Sequence, residues 1–258
     1  MKILVNNSFP ILISIGIFNL LGSVAYFLIF DFYDTFIISN WIIYKMVNKW
    51  WSKIIKESLI GFYKKKIKNT IKYRFILFIT SEVILFLSLF WIFFHRRISP
   101  NIEIGIVWPP NNTEKSINPI RIPLAIRIIL LISRFRITLA HHFAINNLLK
   151  ESKTNFKKTL ILGLTFITLQ IIEYSHPGNK IPIRFNDSIY ANSFFFITAL
   201  HGSHVIGGSL FLKKSIKIFK RNSNKNIINI EISIWYWHFV DLIWVFVFSF
   251  IYWWNIFL

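Results

Sequence analysis

The chain has 258 residues, 54% hydrophobic and 18% aromatic, and only 16% of them are charged, well below the usual quarter for a soluble domain. Its formal net charge is +19, and it has no cysteine, which excludes disulfides, thiolate metal sites and thiol nucleophiles. Apolar runs of about 20 residues recur, each the length that crosses a hydrocarbon core. The predicted fold class is therefore an all-α membrane protein, one polytopic domain over residues 1–258.

The first span is predicted at about 9–30. It is too long for a signal-peptide core and shows no small-residue cleavage site. The first arginine is Arg74, unlike an Arg-rich import signal. Synthesis is expected where the protein works, in a bacterium or inside an organelle. Frequent Ile, Phe, Asn and Lys match A/T-rich codons and point to an organellar genome. The second span, about 33–56, carries Lys45, Lys49 and Lys53. The third, about 74–95, holds Glu82, and a loop punctuated by Pro100, Pro109, Pro110 and Pro119 follows. The fourth, about 122–146, contains Arg127, Arg134, Arg136 and the adjacent His141 and His142. Gln170 and Glu173 lie in the fifth, about 156–176; His201 and His204 in the sixth, about 188–212; His238 and Asp241 in the seventh, about 232–256.

Basic residues fall unevenly about these spans. The N-terminus and the segments 49–74, 150–158 and 213–225 hold 20 Lys and Arg, against 6 in the segments on the opposite side. The positive-inside rule places the N-terminus inside and the C-terminus outside. In a soluble chain such a charge would suggest nucleic acid. Here it sits in short loops on one membrane face, so anionic lipid headgroups are the expected partner and nucleic acid is not.

A charge at the centre of a span costs at least about 2.5–3.5 kcal/mol, so each is expected to have a partner. Gln170 and Glu173, His201 and His204, and His238 and Asp241 are each spaced i, i+3 on one helical face. The histidines admit haem or copper ligation, or plain hydrogen bonding between helices. Adjacent His141 and His142 point about 100° apart and do not share a metal, and His201 and His204 lack an evident third ligand, so no metal site is expected. Asp241 is expected to hold an imidazole or another span's donor. Glu82 and Arg136, at similar depths in antiparallel spans, are expected to pair. Gly202, Ser203, Gly207, Gly208 and Ser209 form a small-residue packing face. Trp41, Trp50, Trp51, Trp108, Trp235, Trp237, Trp253 and Trp254 read as an aromatic belt at span ends. A stand-alone transporter using the buried acids as a relay is the competing reading, but no inverted repeat marks it.

The stretches "WWSKIIKES" at 50–58, "SEVILFLSLFWIFFH" at 81–95, "GIVWPP" at 105–110, "AHH" at 140–142, "TLQIIEY" at 168–174, "HGSHVIGGSLFL" at 201–212 and "WYWHFVDLIWVFVFSFIYWW" at 235–254 resemble the cytochrome c oxidase subunit III family, in its order and near its spacing. Residues 1–49 are similar only in apolar character. The resemblance implies seven transmembrane helices in two groups, the first two against the other five, with a lipid-filled cleft between them. It implies a subunit with no catalytic centre or redox cofactor of its own, the haem and copper lying on partner subunits. Its partners would be subunit I as the main contact, subunit II and accessory subunits. Its role would be to support proton uptake, oxygen access and sustained turnover in a complex that oxidises cytochrome c, reduces oxygen and pumps protons. The implied place is the mitochondrial inner membrane, with the N-terminus in the matrix. By the same resemblance Glu82 matches a membrane-buried, carbodiimide-reactive glutamate, and Trp51, Glu57 and Phe78 match positions near structural phospholipids (phosphatidylethanolamine, phosphatidylglycerol or cardiolipin). Glu173, His201, His204, His238 and Asp241 join Glu82 as buried polar, proton-related candidates; Lys53, Lys56 and Lys64 are lipid-phosphate candidates. The sequence departs from the family at Tyr63 and Lys64, where histidines are usual, in a longer loop at 175–187, and at Arg127, Arg134 and Arg136, where apolar or small residues are usual.

Overall fold

The computed structural model describes residues 8–30, 33–59, 64–100, 108, 119–175, 188–221 and 227–254. The proline loop apart from Pro100, Trp108 and Pro119–Arg121, the insertion at 176–187 and Tyr63 lie outside the described residues. Those described form seven α-helices and no strand: α1 (Phe9–Phe30), α2 (Tyr33–Leu59), α3 (Lys65–Ile98), α4 (Ile122–Ile145), α5 (Leu149–Ser175), α6 (Ile189–Arg221) and α7 (Ile227–Val247). The last passes into a π-helical turn, Phe248–Trp253. This is an all-α membrane protein. Four helices are apolar enough to cross a membrane by length and composition alone, within Phe9–Phe27, Lys65–Ile98, Ile189–Ile216 and Ile228–Trp253. α2, α4 and α5 carry lysines or arginines along the run.

Several helices outrun the apolar stretches read from sequence. α3 begins at Lys65, not Arg74, and α6 continues through Lys213 and Lys214 to Arg221. Lysine and arginine are good helix formers, so the backbone keeps its hydrogen bonds past the apolar stretch. Local signals mark the ends. Pro123 sits in the first turn of α4, where its missing N–H costs nothing. Ser188 Oγ accepts the Ala191 N–H at 3.0 Å at the start of α6. Arg97 donates to the Trp254 carbonyl at 3.3 Å, occupying an acceptor that the end of α7 leaves open.

The chain divides into two compact units, Met1–Lys64 and Lys65–Leu258. In the first, α1 packs on α2, and a Cβ on Gly16 would lie 3.2 Å from Ile43 Cγ1, so a small residue sets their approach. In the second, α4 and α5 form a tight hairpin. Its turn places Asn147 at φ 60°, a left-handed position that asparagine tolerates better than most residues. Buried Ser152 Oγ donates to the Ala140 carbonyl at 2.9 Å and ties the hairpin shut.

Trp237 is where four helices of the second unit meet. It is fully buried on α7 and donates from Nε1 to Ser133 Oγ of α4 at 3.0 Å. Its ring fills the space left by Gly163 of α5 and Gly208 of α6, where an added Cβ would fall 2.7 Å and 3.2 Å from it. The small-residue face of α6 is thus a close-packing face at Gly208, although nothing lies within 4 Å of a Cβ at Gly202. Trp237 does not belong to the aromatic belt expected of it. α7 starts at Ile227, which carries residue 237 into the bundle, and an indole fits there because its N–H has a partner.

Candidate functional site

Three groups of polar contacts inside the second unit hold the candidate residues Glu82, Asp241 and Glu173. The first links α3 to α6. His204 Nδ1 stands 2.8 Å from the Leu200 carbonyl, and Nε2 stands 2.9 Å from Glu82 Oε2. A carbonyl only accepts, so Nδ1 carries a proton and Nε2 faces the carboxyl group. The rings of Phe86, Phe239 and Tyr236 lie 5.3, 6.0 and 6.4 Å from the imidazole. This corrects the expected Glu82–Arg136 pair. α3 packs against α6 and α7, so Glu82 meets a histidine of α6 instead of an arginine of α4.

The second contact links α4 to α7. Arg134 Nη1 donates to Asp241 Oδ2 at 3.4 Å; the arginine side chain is 50% exposed and the carboxylate 2%. Asp241 therefore holds another span's donor. His238 Nδ1 has no hydrogen-bond partner among the described residues. Arg127, one heptad before Arg134, lies over the Phe248 ring at 4.8 Å.

The third involves α5, α6 and the π-helical turn. Gln170 Nε2 and Tyr252 Oη both donate to Glu173 Oε2, at 2.8 and 3.0 Å. Beside them Tyr174 Oη donates to Thr198 Oγ1 at 2.7 Å, and Thr198 donates to the Phe194 carbonyl. The π turn widens the end of the helix, and Tyr252 belongs to that turn. His201 is fully buried between the rings of Phe166 and Trp244, at 5.4 and 5.1 Å. It thus faces α5 and α7, whereas His204 faces α3 and α7. The i, i+3 spacing does not bring these two imidazoles to one ligand, and no group of three His, Cys, Asp or Glu converges among the described residues. Near the starts of their helices, Lys72 of α3 and Glu231 of α7 form an ion pair.

The lipid candidates fall on two faces of α2 and beyond it. Asn48, Lys49, Ser52, Lys53 and Lys56 line a cavity of about 440 Å³ with Phe9 at the start of α1. Lys53 Nζ lies 5.7 Å from the Phe9 ring centroid. At 100° per residue Trp51 sits on the opposite side of the helix from Lys49, so the lysines and the tryptophan, adjacent in sequence, do not line one surface. Lys64 is exposed, and Glu57 is half-buried. Phe78 of α3, 44% exposed, stacks on Tyr236 at 6.4 Å.

Sequence reasoning missed Tyr252 as the donor to Glu173, Arg134 as the partner of Asp241, and Ser133 as the acceptor for Trp237. Each pairing depends on helix rotation. The i, i+7 spacing of Arg127 and Arg134 was the one available signal that these two share a face.

The sequence model of the family described as "Cytochrome c oxidase subunit III" matches residues 1–256. Among curated proteins, a cytochrome c oxidase subunit 3 of Rhipicephalus sanguineus is 39% identical over 249 residues, covering 95% of each chain. The protein of that name from Drosophila melanogaster is 37% identical over 91% of this chain and 88% of its own. The one from Triticum aestivum is 39% identical over 80% and 77%.

Proposed function

This chain belongs to the cytochrome c oxidase subunit III family, and we propose that it serves as a non-catalytic core subunit that stabilises the haem- and copper-bearing subunit I. The match over residues 1–256 carries this reading. The internal geometry is in keeping with it: Glu82, Glu173, Asp241 and Trp237 each make a hydrogen bond to another helix, as a scaffold requires, and interhelical hydrogen bonds in membranes add about 0.6–2 kcal/mol apiece. The bias of basic residues supports an N-terminus in the mitochondrial matrix and a C-terminus in the intermembrane space. Within the complex, the Glu82–His204 contact places an acid and an imidazole together at a helix interface, which suits a part in proton uptake. The lysine-lined cavity suits an anionic phospholipid headgroup, since ammonium groups attract phosphate as point charges. The Trp51 and Phe78 surfaces suit the acyl chains of structural lipids, which on this reading also serve oxygen access.

Mild detergent extraction tests the assignment. Affinity purification of this chain is expected to bring down the subunits that carry haem and copper. Stripping it from the complex is expected to leave the haem absorption bands in place while turnover decays faster. A purified chain that carries solute flux in liposomes and brings down no oxidase subunit refutes the proposal.

A further inference from the structure

Arg136 lies inside α4 with no hydrogen bond or ion pair among the described residues. Nine residues separate it from the end of the helix at Ile145, about 14 Å along the axis. The whole helix, 24 residues, is about 36 Å long against a hydrocarbon core of about 30 Å. With the helix centred, the Arg136 backbone therefore lies about 10 Å inside the core, deeper than an arginine side chain reaches. The side chain also leaves the wrong way. Cα–Cβ bonds tilt toward a helix N-terminus, and here that is the more distant membrane boundary. Snorkelling to lipid phosphate is opposed twice over.

Among the described residues of the second unit, no carboxylate is left to meet it. The acids within the helices of the second unit are already engaged: Glu82 with His204, Glu173 with Gln170 and Tyr252, Asp241 with Arg134, Glu231 with Lys72, while Glu151 sits in the first turn of α5. α1 holds no acid, and α2 holds only Asp34 in its first turn and Glu57 near its end. Arg136 itself is half-buried, and beside it the helix presents Ile128, Ile132 and Phe135, exposed by 49%, 45% and 63%. Their i, i+4, i+7 spacing forms one ridge.

We propose that this ridge of α4 is an interface for a transmembrane helix of another chain, and that the partner helix carries a carboxylate opposite Arg136. The pair neutralises a charge that neither lipid nor the described residues of this chain satisfy. The inference rests on the subunit reading only in requiring a membrane partner.

The test places a photo-crosslinking amino acid at Phe135, an exposed site, in the chain within its purified complex. Irradiation is expected to give adducts with a polypeptide, mapping to a peptide that contains Asp or Glu. In parallel, Arg136→Leu is expected to speed loss of that polypeptide in mild detergent at least about thirtyfold, the scale for truncating one partner of a buried pair, while Arg136→Lys retains most of the binding. Adducts with lipid alone, in a complex that still holds its haem-bearing subunit, overturn this inference and leave the oxidase reading standing. Polypeptide adducts in a preparation lacking any haem-bearing chain support the interface and refute the oxidase reading.

Discussion

Gly163→Ala tests the packing at Trp237. The new methyl would lie 2.7 Å from Trp237 Cη2, inside the distance that real Cβ atoms show, and 3.0 Å from Ser209 Oγ, a tight contact. The indole has little room to withdraw, because Nε1 is held by Ser133 and the other edge meets Gly208. Overpacking of this kind costs about 1–3 kcal/mol. If the ring moves far enough to break the Ser133 contact, about 1 kcal/mol more is lost. Against this, alanine is favoured over glycine inside a helix by up to about 1 kcal/mol. A net destabilisation of about 1–3 kcal/mol results. Gly202→Ala is the control on the same bundle: nothing lies within 4 Å of its Cβ, so only the helix preference remains and the expected change is stabilising by up to about 1 kcal/mol. Equilibrium unfolding in mixed detergent micelles measures both. Ser133→Ala combined with Gly163→Ala is expected to cost less than the two singles together, because both act on one indole. If Gly163→Ala and Gly202→Ala shift stability with the same sign, the close approach at Gly163 does not control the packing.

Glu82→Gln keeps a hydrogen-bonding group for His204 Nε2 and is expected to stay within about 1 kcal/mol of the parent, whereas Glu82→Leu strands the imidazole and costs about 1–3 kcal/mol by the same unfolding assay. Arg134→Leu leaves Asp241 buried without its donor; the half-exposed arginine reduces the effect below that of a fully buried pair, to about 1–3 kcal/mol, and Arg134→Leu with Asp241→Leu recovers most of it. Tyr252→Phe removes one of two donors to Glu173 Oε2 and is expected to cost about 1–2 kcal/mol, read by thermal inactivation of the complex. Replacing Lys49, Lys53 and Lys56 with Gln is expected to weaken retention of anionic but not zwitterionic phospholipid, by about 1 kcal/mol per lysine in native mass spectrometry.

Helices and their number were legible because apolar runs longer than a bilayer core leave few alternatives, and the polar residues within them stood out against that background. Their partners were not. Glu82 and Arg136 were matched by depth alone, and depth says nothing about which way a helix is turned; the packing of α3 on α6 chose His204. The ends were misjudged for a related reason. Arg74 and Lys213 mark where apolarity stops, but a helix of good formers continues until a turn or cap ends it, as at Asn147. Trp237 misled because tryptophan is common at membrane interfaces, and the serine and glycines that make room for it inside lie on three other helices.

The lengths of α3 and α6 bear on where this protein can reside. At 34 and 33 residues they extend about 50 Å, some 20 Å more than a typical hydrocarbon core. Each carries lysines along one end: Lys65, Lys66, Lys68 and Lys72 on α3, and Lys213 and Lys214 on α6. Long amines at graded heights let the polar boundary rest at several levels. Bilayers that differ by a few ångströms are then met without tilting or unwinding, because the same helix offers another collar one turn along. Reconstituted into lipids of increasing acyl length, the protein is expected to hold its helix content and tilt over a wider range than a span ending abruptly in charge.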